Sequence, residues 1–425
     1  MSERFVVEGL GGAKTLLGTI HVGGAKNGIL KALPATVLFE DAVRLENVPD
    51  IEDVKRMEEL LQIAGAKVDG HVVTPAHAWN SVLDKKIAER FRASVVLTGP
   101  LLARTGSVTF PFPGGCVLGE RPIDLFLLGF TAMGASVREE NELFTITAEK
   151  GKLRGAHIFF PVVSVTATET LMLAAVLAEG ETVLENSAME PEIPWLADYL
   201  NQCGAHIEGA GTSVIHITGG GLLRAAGKAY VTPPDRIEAG SFLVLAALAA
   251  KEVTIADCEP EHMKAVLSIL TRAGVSLEIE KTSITVRGDQ PNSAYKLVSV
   301  RTHEYPGFPT DLQAPMAVFM TQCTGEGTLL ETIFDGRFRY ADDLVRMGAD
   351  ITVMNPHKIL IRGPKKLSRK ELEGPDLRAG LAYIMAGMVA DGITTVSNAY
   401  VIDRGYAHIE ERLQKLGLNI KRETV

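Results

Sequence analysis

The chain has little cysteine, no excess of positive charge and no long apolar run, and each shortage removes a class of function. Its four cysteines, Cys116, Cys203, Cys258 and Cys323, lie far apart with no Cys-x-x-Cys and no paired histidines, so neither a disulfide frame nor a metal site is expected. Lysine and arginine number 43 against 52 aspartates and glutamates, a formal charge of −9, which counts against nucleic acid or an anionic membrane as partner. The longest uncharged apolar stretches, such as 241–250, are too short to cross a bilayer. The opening Met-Ser-Glu-Arg-Phe-Val-Val-Glu has no apolar signal region, so a cytoplasmic location is expected. The glycine runs at 11–14 and 219–221 match neither a P-loop nor a dinucleotide fingerprint, and the first is expected to be a turn. What remains is ample core: 46% of 425 residues are hydrophobic, enough for two or three domains.

One stretch organises the rest. Residues 111–124 read Pro-Phe-Pro-Gly-Gly-Cys-Val-Leu-Gly-Glu-Arg-Pro-Ile-Asp, a glycine-rich loop between a strand at 108–110 and a helix beginning beyond Pro122. A thiol beside Arg121 and near a helix N-terminus ionises more readily than a free cysteine, which suits nucleophilic attack or proton transfer. Most lone cysteines are small buried hydrophobes, but Gly-Gly before Cys116 and an arginine five residues after it suit a core poorly.

A helix ending in glycine, then a small residue and a strand, recurs at Gly65, Gly134, Gly204, Gly274, Gly348 and Gly417, at intervals of 69, 70, 70, 74 and 69. Each glycine reads as a helix C-terminus, and the helices before them are amphipathic, as Val54, Met57, Leu61 and Ala64 illustrate. A second helix recurs earlier in each unit, starting near Lys26, Arg92, Ser164, Asp235, Asp311 and Asp376. These helices are apolar almost all round and therefore buried. Six units of about 70 residues predict an internally repeated α/β protein of two bodies, with apolar helices inside and sheets outside. The seam is expected near Thr232-Pro233-Pro234, giving an N-terminal domain 26–233 that carries the cysteine loop 112–122.

The helix starts carry the chemistry. Lys26, Arg92, Arg121, Arg337, Arg378 and Arg404 are each read as lying at a helix start or the loop before one, where free N–H groups already favour anions. Lys26, the only charge entering a buried segment until Lys31, favours an anion by itself; Arg92 and Arg121 individually read as solvated charges, capping alone would account for Asp311, and repeated placement is what raises Arg337, Arg378 and Arg404. A thiol, a carboxylate and several cations without a metal cluster indicate acid/base group transfer on phosphorylated small molecules.

Taken in order, Gly-Ala-Lys26-Asn27, Arg92-Ala-Ser, Pro-Gly-Gly-Cys116 to Arg121-Pro-Ile-Asp124, Glu190-Pro-Glu-Ile, Pro234-Asp-Arg-Ile-Glu, Phe308-Pro-Thr-Asp311, Asp376-Leu-Arg378-Ala and Ile402-Asp-Arg404-Gly-Tyr resemble the UDP-N-acetylglucosamine 1-carboxyvinyltransferases, a family of enolpyruvyl transferases. The related shikimate-pathway transferases share the fold but lack this cysteine loop. The resemblance covers essentially the whole chain. It implies a two-domain inside-out α/β barrel, with 1–25 plus 234–425 as the second domain and the active site in the cleft between the two, and transfer of enolpyruvyl from phosphoenolpyruvate to the 3-hydroxyl of UDP-N-acetylglucosamine with release of phosphate, the step that opens peptidoglycan precursor synthesis. No cofactor or metal is implied, and the protein is expected to be a monomer or a weak homo-oligomer.

By the same resemblance, Lys26, Arg121 and Arg404 hold phosphoenolpyruvate, and Cys116 protonates its methylene carbon or adds to it. Asp311 takes the proton of the sugar hydroxyl. Asn27, Arg92, Arg121, Pro122, Ile123, Asp124, Leu125, Ser164, Val165, Asp311, Ile333 and Arg337 are implied on the sugar nucleotide, while Asp376 and Arg378 support closure and phosphate release. Fosfomycin, an epoxide that mimics phosphoenolpyruvate, is expected to alkylate Cys116. The chain departs from the family at Phe126, where histidine is common, at Val162 near a usual lysine, and at Thr166 in place of glycine. These departures leave open an enolpyruvyl transferase for a different uridine nucleotide or hydroxylated acceptor; the non-enzyme reading is a sugar-nucleotide sensor that retains the fold, which would not need Cys116 and Asp311 together.

Overall fold

The computed structural model describes residues 3–114 and 123–424. Cys116, Arg121 and Pro122 lie outside the described residues, as does most of the cysteine loop 112–122. The described chain divides into two compact units, 24–114 with 123–233 and 3–23 with 234–424.

Both units are built from one sheet pattern. In the first unit an edge strand runs parallel to its neighbour, as Ala229–Val231 does beside Val43–Glu46, and His157–Phe159 beside Glu181–Glu185. Two further antiparallel strands complete each of these sheets. The second unit repeats the order three times, with its parallel edges at Leu16–His21, Val300–Arg301 and Glu371–Glu373. The remaining sheet, Ser107–Pro111, Leu143–Ala148 and Ala135–Glu140, is three-stranded, and its parallel edge is reduced to a single bridge from Val82 to Thr109. Strands alternate faces with period two, so Leu143–Ala148 buries Phe144, Ile146 and Ala148 on one side.

The helices inside are apolar all round for the reason the composition suggested. In the first unit Lys26–Ala35, Thr98–Thr105 and Val165–Ala175 are inner helices, and Leu171 to Ala175 are wholly buried. In the second unit Arg236–Ala249, Gln313–Gln322 and Leu377–Val389 pack on one another. The six glycines that end the amphipathic helices all have φ between +84° and +111°, a conformation in which any Cβ would be strained, and each hands the chain to a short strand.

Three expectations need correction. The helix read from Arg92 begins as a 3-10 turn, Arg92–Leu97, and becomes α-helical only at Thr98; the segment at Asp311 likewise opens as a 3-10 turn, Thr310–Leu312, ahead of Gln313–Gln322. In both, proline occupies the third α-helical position, Pro100 and Pro315, and a residue without an N–H cannot bond the carbonyl four residues back. Arg404 is not at a helix start: it ends the short helix Ala399–Asp403. The amphipathic pattern around Tyr406 is accordingly split, because the last helix begins at Ile409 after a left-handed His408.

Candidate active site

In the first unit the candidate residues open three elements that pack on one another: Lys26 and Asn27 at the Lys26–Ala35 helix, Arg92 at the 3-10 turn, and Ser164 with Val165 at the Val165–Ala175 helix. Ser164 is the N-cap of its helix, its Oγ accepting from the amide of Ala167 at 3.3 Å. Lys26 is buried, and its Nζ lies 2.7 Å from Asp53 Oδ2, a carboxylate in the first turn of the helix Glu52–Ile63. A lysine drawn into an apolar segment is thus charge-compensated from a neighbouring helix. Ile123 precedes the helix Asp124–Ala132 as its N-cap; Asp124 is exposed, and Leu125 is buried. Two of the departures from the family pattern differ in kind, since Phe126 is 2% exposed and belongs to the core, whereas Val162 is 62% exposed.

In the second unit the candidate residues converge on Asp311. Arg337 Nη2 donates to its Oδ1 at 2.8 Å, and Arg378 Nε donates to its Oδ2 at 3.2 Å. Both arginines are buried, while the Asp311 side chain retains 29% of its exposure, so the carboxylate is the open end of a buried charge cluster. Arg337 also donates to Thr310 Oγ1 at 2.6 Å and lies over the Phe334 ring. Asp376 caps the Leu377–Val389 helix by accepting from the amides of Arg378 and Ala379 at 2.8 and 3.0 Å, which fixes where the Arg378 side chain departs. Burial alone would lower the Arg378 pKa, but Tyr406, Asp311 and Asp235 outweigh it and hold the guanidinium above its ordinary value. Ile333 is half-buried in the loop before Arg337, and Arg404 is buried at the end of its helix.

Sequence reasoning missed the partners rather than the cations. Asp53 stood in no motif, and Thr310 and Tyr406 stood in the motifs Phe308-Pro-Thr-Asp311 and Ile402-Asp-Arg404-Gly-Tyr without a role of their own; a carboxylate in a first helical turn and a threonine beside Asp311 are weak signals. Lys26, Arg337 and Arg378 each face a carboxylate of their own unit. The turn at Gly11 and Gly12 forms, but the lysine after it has a structural role: Lys14 Nζ donates to Ala247 O at 3.0 Å at the end of an inner helix and contacts the Tyr295 hydroxyl. Among the described residues no cluster of histidine, cysteine, aspartate and glutamate could hold a metal ion, and no helix is long and apolar enough to cross a membrane.

Residues 10–413 match the family profile of EPSP synthase (3-phosphoshikimate 1-carboxyvinyltransferase). Curated relatives named UDP-N-acetylglucosamine 1-carboxyvinyltransferase are 41% identical in Koribacter versatilis and in Desulfosudis oleivorans, over 99% of this chain and 96% and 100% of theirs. One from Bacillus cereus, the second protein of that name, is 42% identical over 99% of this chain and 97% of its own. Among solved structures, the enolpyruvyl transferase NikO of Streptomyces tendae superposes with a TM-score of 0.85 at 23% identity, covering 100% of this chain and 99% of NikO. An EPSP synthase of Acinetobacter baumannii gives 0.71 at 20% identity over 100% of both chains. At those identities the structural likeness speaks for the fold.

Proposed function

The chain belongs to the EPSP synthase family and, within it, to the UDP-N-acetylglucosamine 1-carboxyvinyltransferases, and we propose on that premise how its residues share the reaction. The enzyme transfers the enolpyruvyl group of phosphoenolpyruvate to UDP-N-acetylglucosamine. The observation that carries this is identity of 41% along 99% of the chain with relatives of that name, and the second acceptor reading is not favoured by it.

Addition comes first. A proton delivered to the methylene carbon of phosphoenolpyruvate, from Cys116, leaves the neighbouring carbon electron-poor; the sugar 3-hydroxyl attacks it while Asp311 takes the hydroxyl proton. Elimination follows, as the same methyl carbon gives a proton back to the Cys116 thiolate, the C–O bond to phosphate breaks with its electron pair and the proton taken by Asp311 leaves with the phosphate, so atoms and charge balance without a redox partner. Lys26, Arg121 and Arg404 stabilise the phosphate and carboxylate of the adduct as fixed cations. Asn27, Arg92, Pro122, Ile123, Asp124, Leu125, Ser164, Val165, Ile333 and Arg337 position the sugar nucleotide, with Asp376 and Arg378 supporting closure and phosphate release. Support for the Asp311 role comes from its geometry: an acceptor carboxylate with its oxygens oriented by two buried guanidiniums. The protein works as a monomer or weak homo-oligomer in the cytoplasm.

Phosphate release measured with each substrate alone and with both tests the reading. Release that requires phosphoenolpyruvate and UDP-N-acetylglucosamine together is expected, and no release with any UDP-sugar would overturn it. If another hydroxylated acceptor gives a higher kcat/KM, the alternative acceptor is right.

Fosfomycin is expected to add to Cys116 and to leave the other thiols untouched, because Cys203, Cys258 and Cys323 are buried and burial pushes their thiols up, Cys258 to about 11 and Cys323 to about 12. Peptide mass spectrometry reads the position, and Cys116→Asp should escape modification. Label on any buried cysteine with Cys116 unmodified contradicts the assignment.

A further inference from the structure

Glu331 follows the strand Gly325–Leu330, is 1% exposed, and has both carboxylate oxygens enclosed by donors. Oε1 accepts from the amides of Ile333 at 2.8 Å and Phe334 at 3.1 Å. Oε2 accepts from Thr310 Oγ1 at 2.8 Å and Gln313 Nε2 at 2.7 Å. The direction of the chain is fixed by chemistry: a carboxylate only accepts, so the single Thr310 proton points at Glu331 and the hydroxyl lone pairs face Arg337. Arg337 donates there and, with its other terminal nitrogen, to Asp311.

We propose that Glu331 is the positioning residue that holds Asp311 in register with the Ile333–Phe334 loop, so that the group taking the acceptor's proton and the loop holding the acceptor are set by one carboxylate. The inference rests on the reading of Asp311 and Ile333 given above. Two segments that are distant in the chain, the 3-10 turn at Thr310–Leu312 and the loop 332–337, meet at this group; the loop is tied at its start to Thr302 as well, through the amide and hydroxyl of Thr332. An amide at position 331 replaces it poorly: with its NH2 towards the amides of Ile333 and Phe334 it faces two donors, and turned the other way it requires Gln313 to flip and the Thr310 proton to leave the bond it now makes, which undoes the directed chain to Arg337.

Glu331→Gln is expected to lower kcat by about 10²-fold, the order that a displaced catalytic group costs. The KM for UDP-N-acetylglucosamine should rise about tenfold and that for phosphoenolpyruvate stay within about twofold, because removing an interaction specific to one substrate moves that substrate's constant. Thr310→Val, which breaks the same chain without touching Glu331, should move the constants in the same direction. Thr310→Ser should remain near wild type, and the double variant Thr310→Val/Glu331→Gln should be no worse than Glu331→Gln alone. Equal shifts in both KM values, unchanged constants beside a lowered melting temperature, or additive losses would each overturn the proposal. Amide hydrogen exchange reads the same coupling without turnover: Glu331→Gln should speed exchange at 333–334 and in the 310–312 turn together, and acceleration in only one segment would sink it. A wild-type protein that releases no phosphate would bring down the reading of function, while the exchange result would still decide on Glu331.

Discussion

Asp311→Asn is expected to reduce kcat by about 10³-fold, inside the range that removal of a general base gives. The substitution preserves shape and volume but leaves one oxygen to serve two guanidiniums. Arg337 and Arg378 now approach opposite oxygens of Asp311, so one of them would meet an NH2 group instead. Phosphate release at saturating substrates measures the effect, with binding of UDP-N-acetylglucosamine followed separately by calorimetry. Loss of turnover with binding changed less than about tenfold assigns Asp311 to proton transfer rather than to holding the sugar nucleotide. A variant whose kcat stays within about tenfold of wild type would remove Asp311 from the role of base.

Lys31→Met is expected to give the largest loss of stability, about 3–5 kcal/mol at pH 8, the cost of leaving one partner of a buried pair uncompensated. Lys31 Nζ stands 3.0 Å from Glu169 Oε2, joining the inner helices Lys26–Ala35 and Val165–Ala175, and both side chains are buried. Burial pushes the Glu169 carboxyl up to about 7, against the opposing pull of Lys31 and with Glu192 and Glu190 adding to it. Tyr230 also faces the cluster; burial, with Glu169 and Glu192, raises its hydroxyl pKa.

A carboxyl that is harder to ionise in the folded chain stabilises the fold fully below its ordinary value of 4.5, and that contribution fades as pH rises towards about 7. Without Lys31 the charged form is costlier still, so the penalty should be larger at pH 8 than at pH 6, where the proton can stay on Glu169. Denaturant unfolding at the two pH values checks the sign. Adding Glu169→Leu to Lys31→Met should restore most of the stability and remove the pH dependence, as two apolar groups of similar size replace the pair. Equal losses at both pH values, or a loss below about 1 kcal/mol, would show that the pair is not the buried charge contact described.

Where several candidate residues sit on their elements was legible residue by residue. Lys26, Arg92, Ser164 and Asp376 stand at or beside element starts as the apolar runs after them implied, because a polar residue before an all-round apolar helix has few other places to be. Arg404 was misplaced because Ile-Asp-Arg-Gly-Tyr reads equally well as the end of one short helix or the approach to the next. The 3-10 turn beneath Asp311 could have been read from Pro315, whose missing N–H falls four residues after it.

The sequence alone determined the spacing of the glycine-ended helices, the all-apolar helices, and the ordered motifs that identify the family. These are local properties: φ is set by glycine and proline, and burial by the run of side chains along one element. Only the tertiary structure decided which charges neutralise which. Lys26 and Asp53 are 27 residues apart, Asp311 and Arg378 67, Lys31 and Glu169 138, and Thr310 reaches Glu331 across a turn, a helix and a strand. A charge pair or a directed hydroxyl depends on a distance of about 3 Å between side chains, and no pattern within one segment encodes that distance; it is fixed when the helices pack.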